Sequence, residues 1–172
     1  MVHPILNLDA LEFRRVGRAP EGAPADPRYE ARVAAIGQRI GAVRLGYNLT
    51  VVPPGKVAFP RHSHHVNEEM FFVLSGTGEV RIGDATHPIR AGDAIACPPA
   101  GAETAHQIAN TSATEELRYL AVSTRLSPDV VEYPDSGKFG LYADLPTGPG
   151  GASERMRFLG RRGDGRDYWE GE

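Results

Sequence analysis

Cysteine is almost missing from this chain: Cys97 is the only one among 172 residues. A single thiol excludes an intrachain disulfide framework and a cysteine-based zinc site, and it fits a reducing compartment. Tryptophan (1) and methionine (3) are scarce as well. No apolar run approaches the ~20 residues that a membrane helix needs, so no membrane association is expected. The net charge is only −3, which gives no electrostatic case for nucleic acid or an anionic membrane surface. The opening stretch "MVHPILNLDALEFRR" lacks a basic start followed by a long apolar core, so no signal peptide is expected and the protein is expected to be cytoplasmic.

What the chain has instead is glycine (20) and proline (14). That pair suits many short elements joined by tight turns better than long helices. The length suggests one domain with extensions, enough to bury about 68–70% of the unfolded surface. A Pro/Gly/Ala linker, "GRAPEGAPADP", occupies 17–27. After it, "PRYEARVAAIGQRI" (27–40) predicts a short helix: Asp26 suits the N-cap, Pro27 the first helical position, and Tyr29, Val33 and Ile36 keep helical spacing.

From residue 43 the period changes to two. "VRLGYNLTVV" (43–52) predicts a strand stopped by "PPG", and "EMFFVLSG" a strand apolar on both faces and therefore buried on both. "SGTGE" predicts a hairpin turn, and "EVRIG", "THPIRAG", "DAIACPP", "AHQIANT" and "LRYLAVST" further strands. Eight or nine short strands argue for an antiparallel sandwich or barrel. The expected organisation is an N-terminal extension with a short helix (1–42), a barrel (43–126) and an irregular C-terminal extension (127–172). That last segment carries Tyr168 and Trp169, which are expected to pack on the barrel or on a partner subunit.

The stretch "RHSHHVNEEMFFVLSG" (61–76) concentrates three histidines and two glutamates. His62 and His64 are two apart, hence on one face if extended. Imidazoles suit iron, zinc, copper or nickel, and a carboxylate moves preference toward iron or manganese. Glu68 or Glu69 can supply that carboxylate, and alternation alone does not choose between them. His106, on another predicted strand, is the candidate fourth ligand.

Two stretches together resemble the motifs of the cupin superfamily. Gly55, His62, His64, Glu69 and Gly76 are similar to the first motif, with one extra residue between Gly55 and His62. Gly92, Pro99, Gly101, His106 and Asn110 are similar to the second, with four residues rather than two between Gly101 and His106. The resemblance implies an all-β fold, a double-stranded β-helix or jelly-roll barrel, with one divalent metal ion (Fe, Mn, Zn or Ni) on His62, His64, Glu69 and His106. The choice of Glu69 over Glu68 rests on that motif spacing.

Cupins include dioxygenases, isomerases, epimerases, decarboxylases, storage proteins and sensor domains. The expected function is therefore a metal-dependent enzyme of dioxygenase or isomerase type acting on a small organic molecule. The alternative is a non-catalytic metal- or ligand-binding barrel of sensor or storage type. A homodimer is expected, with the edge of strand 43–52 as a candidate for pairing between subunits. Arg61, His65, Asn67 and Glu68 are expected to be solvated loop, and the arginines at 155–166 a solvated segment. Cys97 is expected to be packed, and Asn110 to be a turn residue. Tyr47, Tyr119 and Gln107 could equally line the pocket or pack elsewhere.

Overall fold

The computed structural model describes residues 3–17, 26–147 and 153–172. Within them the chain forms β1 (Arg14–Val16), β2 (Ala31–Ala35), β3 (Leu45–Val52), β4 (Ser63–His64), β5 (Glu69–Ser75), β6 (Thr77–Ile82), β7 (Ala85–Arg90), β8 (Ala94–Cys97), β9 (His106–Ala109), β10 (Leu117–Thr124), β11 (Asp129–Tyr133), β12 (Lys138–Pro146) and β13 (Ser153–Arg161). Helical structure among the described residues is limited to three 3-10 turns. None of it is long and apolar enough to cross a membrane.

The strands form a six-stranded sheet (β1-β2-β3-β10-β5-β8), a four-stranded sheet (β13-β12-β11-β4) and a three-stranded sheet (β7-β6-β9). All strand pairs are antiparallel. A reciprocal backbone pair, His62 N–H to His106 O at 3.1 Å and His106 N–H to His62 O at 2.8 Å, connects the two smaller sheets. Val52, Phe71, Val73, Leu117 and Tyr119 of the large sheet meet Val80, Ile89 and Ile108 of the small one in a single core. Each such apolar side chain contributes about 1.5–3 kcal/mol when fully buried. The β5–β6 hairpin turns on Gly76 at φ 84°, where a Cβ would collide with the Glu116 carbonyl and the Leu117 backbone.

The antiparallel barrel agrees with the expected fold class, but five details differ. The predicted helix over 27–40 is instead strand β2 followed by a 3-10 turn, Gly37–Ile40. Arg32, Val33, Ala34 and Ala35 pair with Val51, Thr50, Leu49 and Asn48. Helix propensity differences of at most about 0.7 kcal/mol per ordinary residue lose to a ladder that also covers an open sheet edge. β10 pairs along all of β3 on one side and β2 covers Asn48–Val51 on the other, so the middle of strand 45–52 offers no open edge to a partner subunit.

The C-terminal extension is not irregular: it forms β11, β12 and β13, with β12 and β13 paired over nine positions. A tight turn between Tyr133 and Lys138 joins β11 to β12, with Ser136 N–H bonded to Tyr133 O at 3.1 Å and Gly137 at φ 62°. Its terminal aromatics do not pack on the barrel; Tyr168 and Trp169 stack edge to face on each other, 84% and 73% exposed. Finally, β5 buries one face only. Phe71 and Val73 point into the core, whereas Met70 and Phe72 stand on the outer face, 47% and 41% exposed, since an antiparallel barrel wall can face water on one side.

Candidate metal centre

Three strands bring the histidines and the glutamate together. His62 enters β4, His64 ends it, Glu69 opens β5 and His106 opens β9. The reciprocal backbone pair sets His62 against His106, with ring centroids 4.7 Å apart. Glu69 stands on the inward face of β5, opposite Ser123 on one side and Cys97 on the other. One of its oxygens, Oε2, is faced by three imidazole nitrogens: His62 Nε2 at 3.6 Å, His64 Nε2 at 3.6 Å and His106 Nε2 at 3.0 Å. The donor atoms of His62, His64 and Glu69 all lie within 4.8 Å of one another. Glu68 is not part of the group; its backbone N–H bonds to Thr124 Oγ1 at 3.0 Å.

The outer nitrogens of two rings are tied down. His62 Nδ1 lies 2.8 Å from Pro60 O, and His64 Nδ1 lies 2.6 Å from Asp129 Oδ2. A carbonyl or carboxylate partner holds the proton on Nδ1, which leaves Nε2 as an inward-facing lone pair. Asp129, at the start of β11, also accepts from Asn67 Nδ2 (2.8 Å) and Val66 N–H (3.1 Å). Asn67 in turn accepts from Thr124 Oγ1 and Leu126 N–H, at 2.8 and 2.7 Å, and donates to Leu126 O at 3.0 Å. The buried Nδ1 of His106 has no partner among the described residues.

Charge follows this geometry. Burial opposes ionisation of Glu69, but the hydrogen bond with His106 and the adjacent His62 and His64 imidazoles hold its carboxyl well below the usual carboxylate range. Burial likewise disfavours charge on His64, yet the Asp129 hydrogen bond and the Glu69 carboxylate raise its pKa. Burial opposes ionisation of Asp129 too, and the bonds from His64 and Asn67 outweigh it and lower its pKa. Cys97 faces the same region, but burial, with the Glu69 charge, pushes its thiol up to about 12. A neutral buried thiol is a poor nucleophile, in keeping with a packing role.

His62 and His64 line a cleft of about 600 Å³ that also exposes Asn48, Ser123, Tyr133 and Tyr142. Tyr133 lies nearly parallel to His62, ring centroids 6.1 Å apart, and its hydroxyl is 3.2 Å from that of Tyr142. Tyr47 borders this cleft. Tyr119 is instead buried against Phe71, and Gln107 caps Phe59 O at 2.9 Å. Asn110 is a turn clamp, donating to Val52 O and Glu115 O at 2.9 and 2.8 Å.

Two residues expected in solvated loop are buried. Asn67 completes the Asp129 network, and Arg61 is 6% exposed, bridging Gly83 O, Ala102 O and Asp135. Asp129 and Tyr133 were not among the expected site residues. The one sequence signal for them is "YPDSGK", a Pro-Asp-Ser-Gly turn between apolar runs that announces paired strands.

An antiparallel barrel with a three-histidine, one-glutamate cluster at one end defines a class, and the comparisons agree with it. The Cupin domain model matches residues 48–123. A protein provisionally named sugar phosphate isomerase, from Acidithiobacillus ferrooxidans, is 30% identical over 79% of this chain and 80% of its own, with a TM-score of 0.64. A sugar phosphate isomerase of the cupin superfamily from Silicibacter pomeroyi is 23% identical over 90% and 92%, TM-score 0.69. The polyketide cyclase RemF from Streptomyces resistomycificus is 21% identical over 73% and 82%, TM-score 0.56. These last two are likenesses of fold. None of the curated proteins matches the chain. The chain belongs to the cupin superfamily.

Proposed function

We propose that this cupin is a metal-dependent isomerase of a small, hydroxyl-rich molecule, with one divalent ion held by His62, His64, Glu69 and His106. The observation that carries the reading is the convergence of three Nε2 atoms on one carboxylate oxygen beside a cleft lined by polar groups. Three imidazoles and a carboxylate suit iron, manganese, nickel or zinc. Such an ion supplies Lewis acidity toward carbonyl and hydroxyl oxygens.

The chain's own groups do the rest. Pro60 O and Asp129 orient the two imidazoles of the 62–64 pair. Asn48, Ser123 and Tyr142 offer neutral donors and acceptors to substrate hydroxyls. Burial and the bond with Tyr142 raise the pKa of Tyr133, so its phenol keeps its proton and serves as a donor at neutral pH. Isomerase is favoured over dioxygenase by the 30% identical relative named as a sugar phosphate isomerase.

The test is to strip the protein, reload it with each of iron, manganese, nickel and zinc, and follow aldose–ketose pairs by NMR in deuterated water. Metal-dependent interconversion is expected. Full loading with no interconversion of any pair would instead support the non-catalytic ligand-binding barrel. Failure to load any of the four ions would sink the metal assignment.

A further inference from the structure

The metal cluster accounts for only one end of the cleft. Three arginines border the same cavity, and they come from three separate parts of the chain: Arg14 on β1, Arg125 just after β10 and Arg155 on β13. Strand register puts them on the faces that carry the cluster. Arg14 lies in one cross-strand row with Val33, Thr50, Tyr119 and Val73, all on the inward side of the large sheet. Arg125 continues the alternation of Tyr119, Ala121 and Ser123, and its N–H extends the ladder to Arg44 O at 2.9 Å. Arg155 pairs with Asp144, two residues from Tyr142, whose partner across the sheet is Asp129.

These cations are poorly neutralised. Among the described residues neither Arg14 nor Arg125 forms an ion pair, and Arg155 reaches Asp144 only at 3.8 Å, with both side chains solvent-accessible. The other acid in the cleft wall, Asp129, is committed to His64 and Asn67. A protein of net charge −3 thus concentrates positive charge in the cleft that His62 and His64 line, and such a field raises the local concentration of anions.

We propose that Arg14, Arg125 and Arg155 form a subsite for the phosphate dianion of a phosphorylated substrate. Guanidinium forks match phosphate oxygens. Three of them exceed what a monocarboxylate needs, and a dianion balances them better. The proposal rests on the reading of this cleft as a substrate site. All three arginines lie outside the Cupin domain match at 48–123, so the barrel would carry the metal and the flanking segments the choice of substrate.

The experiment is calorimetric titration of the metal-loaded protein with orthophosphate, and with acetate at equal ionic strength, with metal content measured in every variant. Saturable phosphate binding is expected, weakened about tenfold or more by Arg14→Gln, Arg125→Gln or Arg155→Gln, since a charged hydrogen bond carries ~1.5–3 kcal/mol. Arg125→Lys should recover part of the loss, and Arg90→Gln, on β7 outside the cleft, should have no effect. Acetate binding as tightly as phosphate, through the same arginines, would overturn phosphate in favour of a carboxylate. No saturable binding, or an equal loss in Arg90→Gln, would overturn the subsite altogether. Lost phosphate binding with metal retained confines the effect to the arginines. Phosphate binding that persists in protein unable to load metal would leave the subsite standing and remove the metal assignment instead.

Discussion

Replacing Asp129 by Asn keeps the shape of the side chain and removes its charge, so it isolates what the carboxylate does. Asp129 accepts three hydrogen bonds: from His64 Nδ1 at 2.6 Å and Asn67 Nδ2 at 2.8 Å on one oxygen, and from Val66 N–H at 3.1 Å on the other. An amide cannot satisfy all three donors. With its oxygen toward Val66, its NH₂ confronts two donors; flipped, it confronts the Val66 N–H. At least one charge-assisted bond is lost and one donor stranded, about 2–4 kcal/mol together. For a chain of this size that is a fall of roughly 5–15 °C in melting temperature. Freed from its carboxylate partner, His64 should also bind metal about 10–100-fold more weakly.

The pH dependence has a definite sign. The folded-state pKa of Asp129 is lowered, so its contribution is present above the unfolded-state value near pH ~4 and is lost as pH falls through the lower folded value. Asp129→Asn should therefore flatten the acid limb of the stability curve. Thermal melts of metal-free and metal-loaded protein between neutral and acid pH, with metal titrations, measure all three effects. An unchanged melting temperature together with unchanged metal affinity would refute the reasoning.

His106→Ala and Glu69→Gln should each lower stoichiometric metal content, and turnover with it, by more than the Asp129 variant does; metal analysis that finds full loading in both would contradict the assigned ligands. Cys97→Ser should leave turnover largely intact, and the native thiol should react slowly with a thiol reagent at neutral pH, because burial holds it near 12; rapid modification that abolishes turnover with metal still bound would move the chemistry to the thiol. Trp169, the only tryptophan, should show the red-shifted, readily quenched emission of an exposed indole, and a blue-shifted spectrum shielded from acrylamide would place it in an interface between subunits.

What the chain reveals unaided follows from the range of each interaction. The two-residue alternation from Leu45 to Val52 and the His-x-His pair are local patterns, and a strand displays them wherever it docks. Asp129 is 65 residues from His64, so nothing near either residue announces their bond. Arg61 and Asn67 look solvated beside polar neighbours, yet their partners come from Gly83, Ala102, Leu126, Asp129 and Asp135. The segment around Val33 satisfies helical spacing equally well as a strand, and the choice is made by the open edge of β3, which no local window contains. Met70 and Phe72 are apolar on a wet face, so composition alone gave β5 one buried side too many.

The reciprocal backbone pair between His62 and His106 has a consequence for how much variation the ligand set can absorb. Strand β4 is only two residues long, and a slip of one residue along its neighbours would turn its side chains to the opposite face. Because both ligands belong to the same rung, that rung indexes them against each other whatever the length of chain between them. The additional residues after Gly101 are taken up in a compact turn, with Thr104 N–H on Gly101 O and Ala105 N–H on Ala102 O at 3.2 and 3.3 Å. Insertions and deletions there should be nearly silent at the cluster, whereas His106→Pro removes one ligand outright and, by deleting its half of the rung, should also unfasten His62.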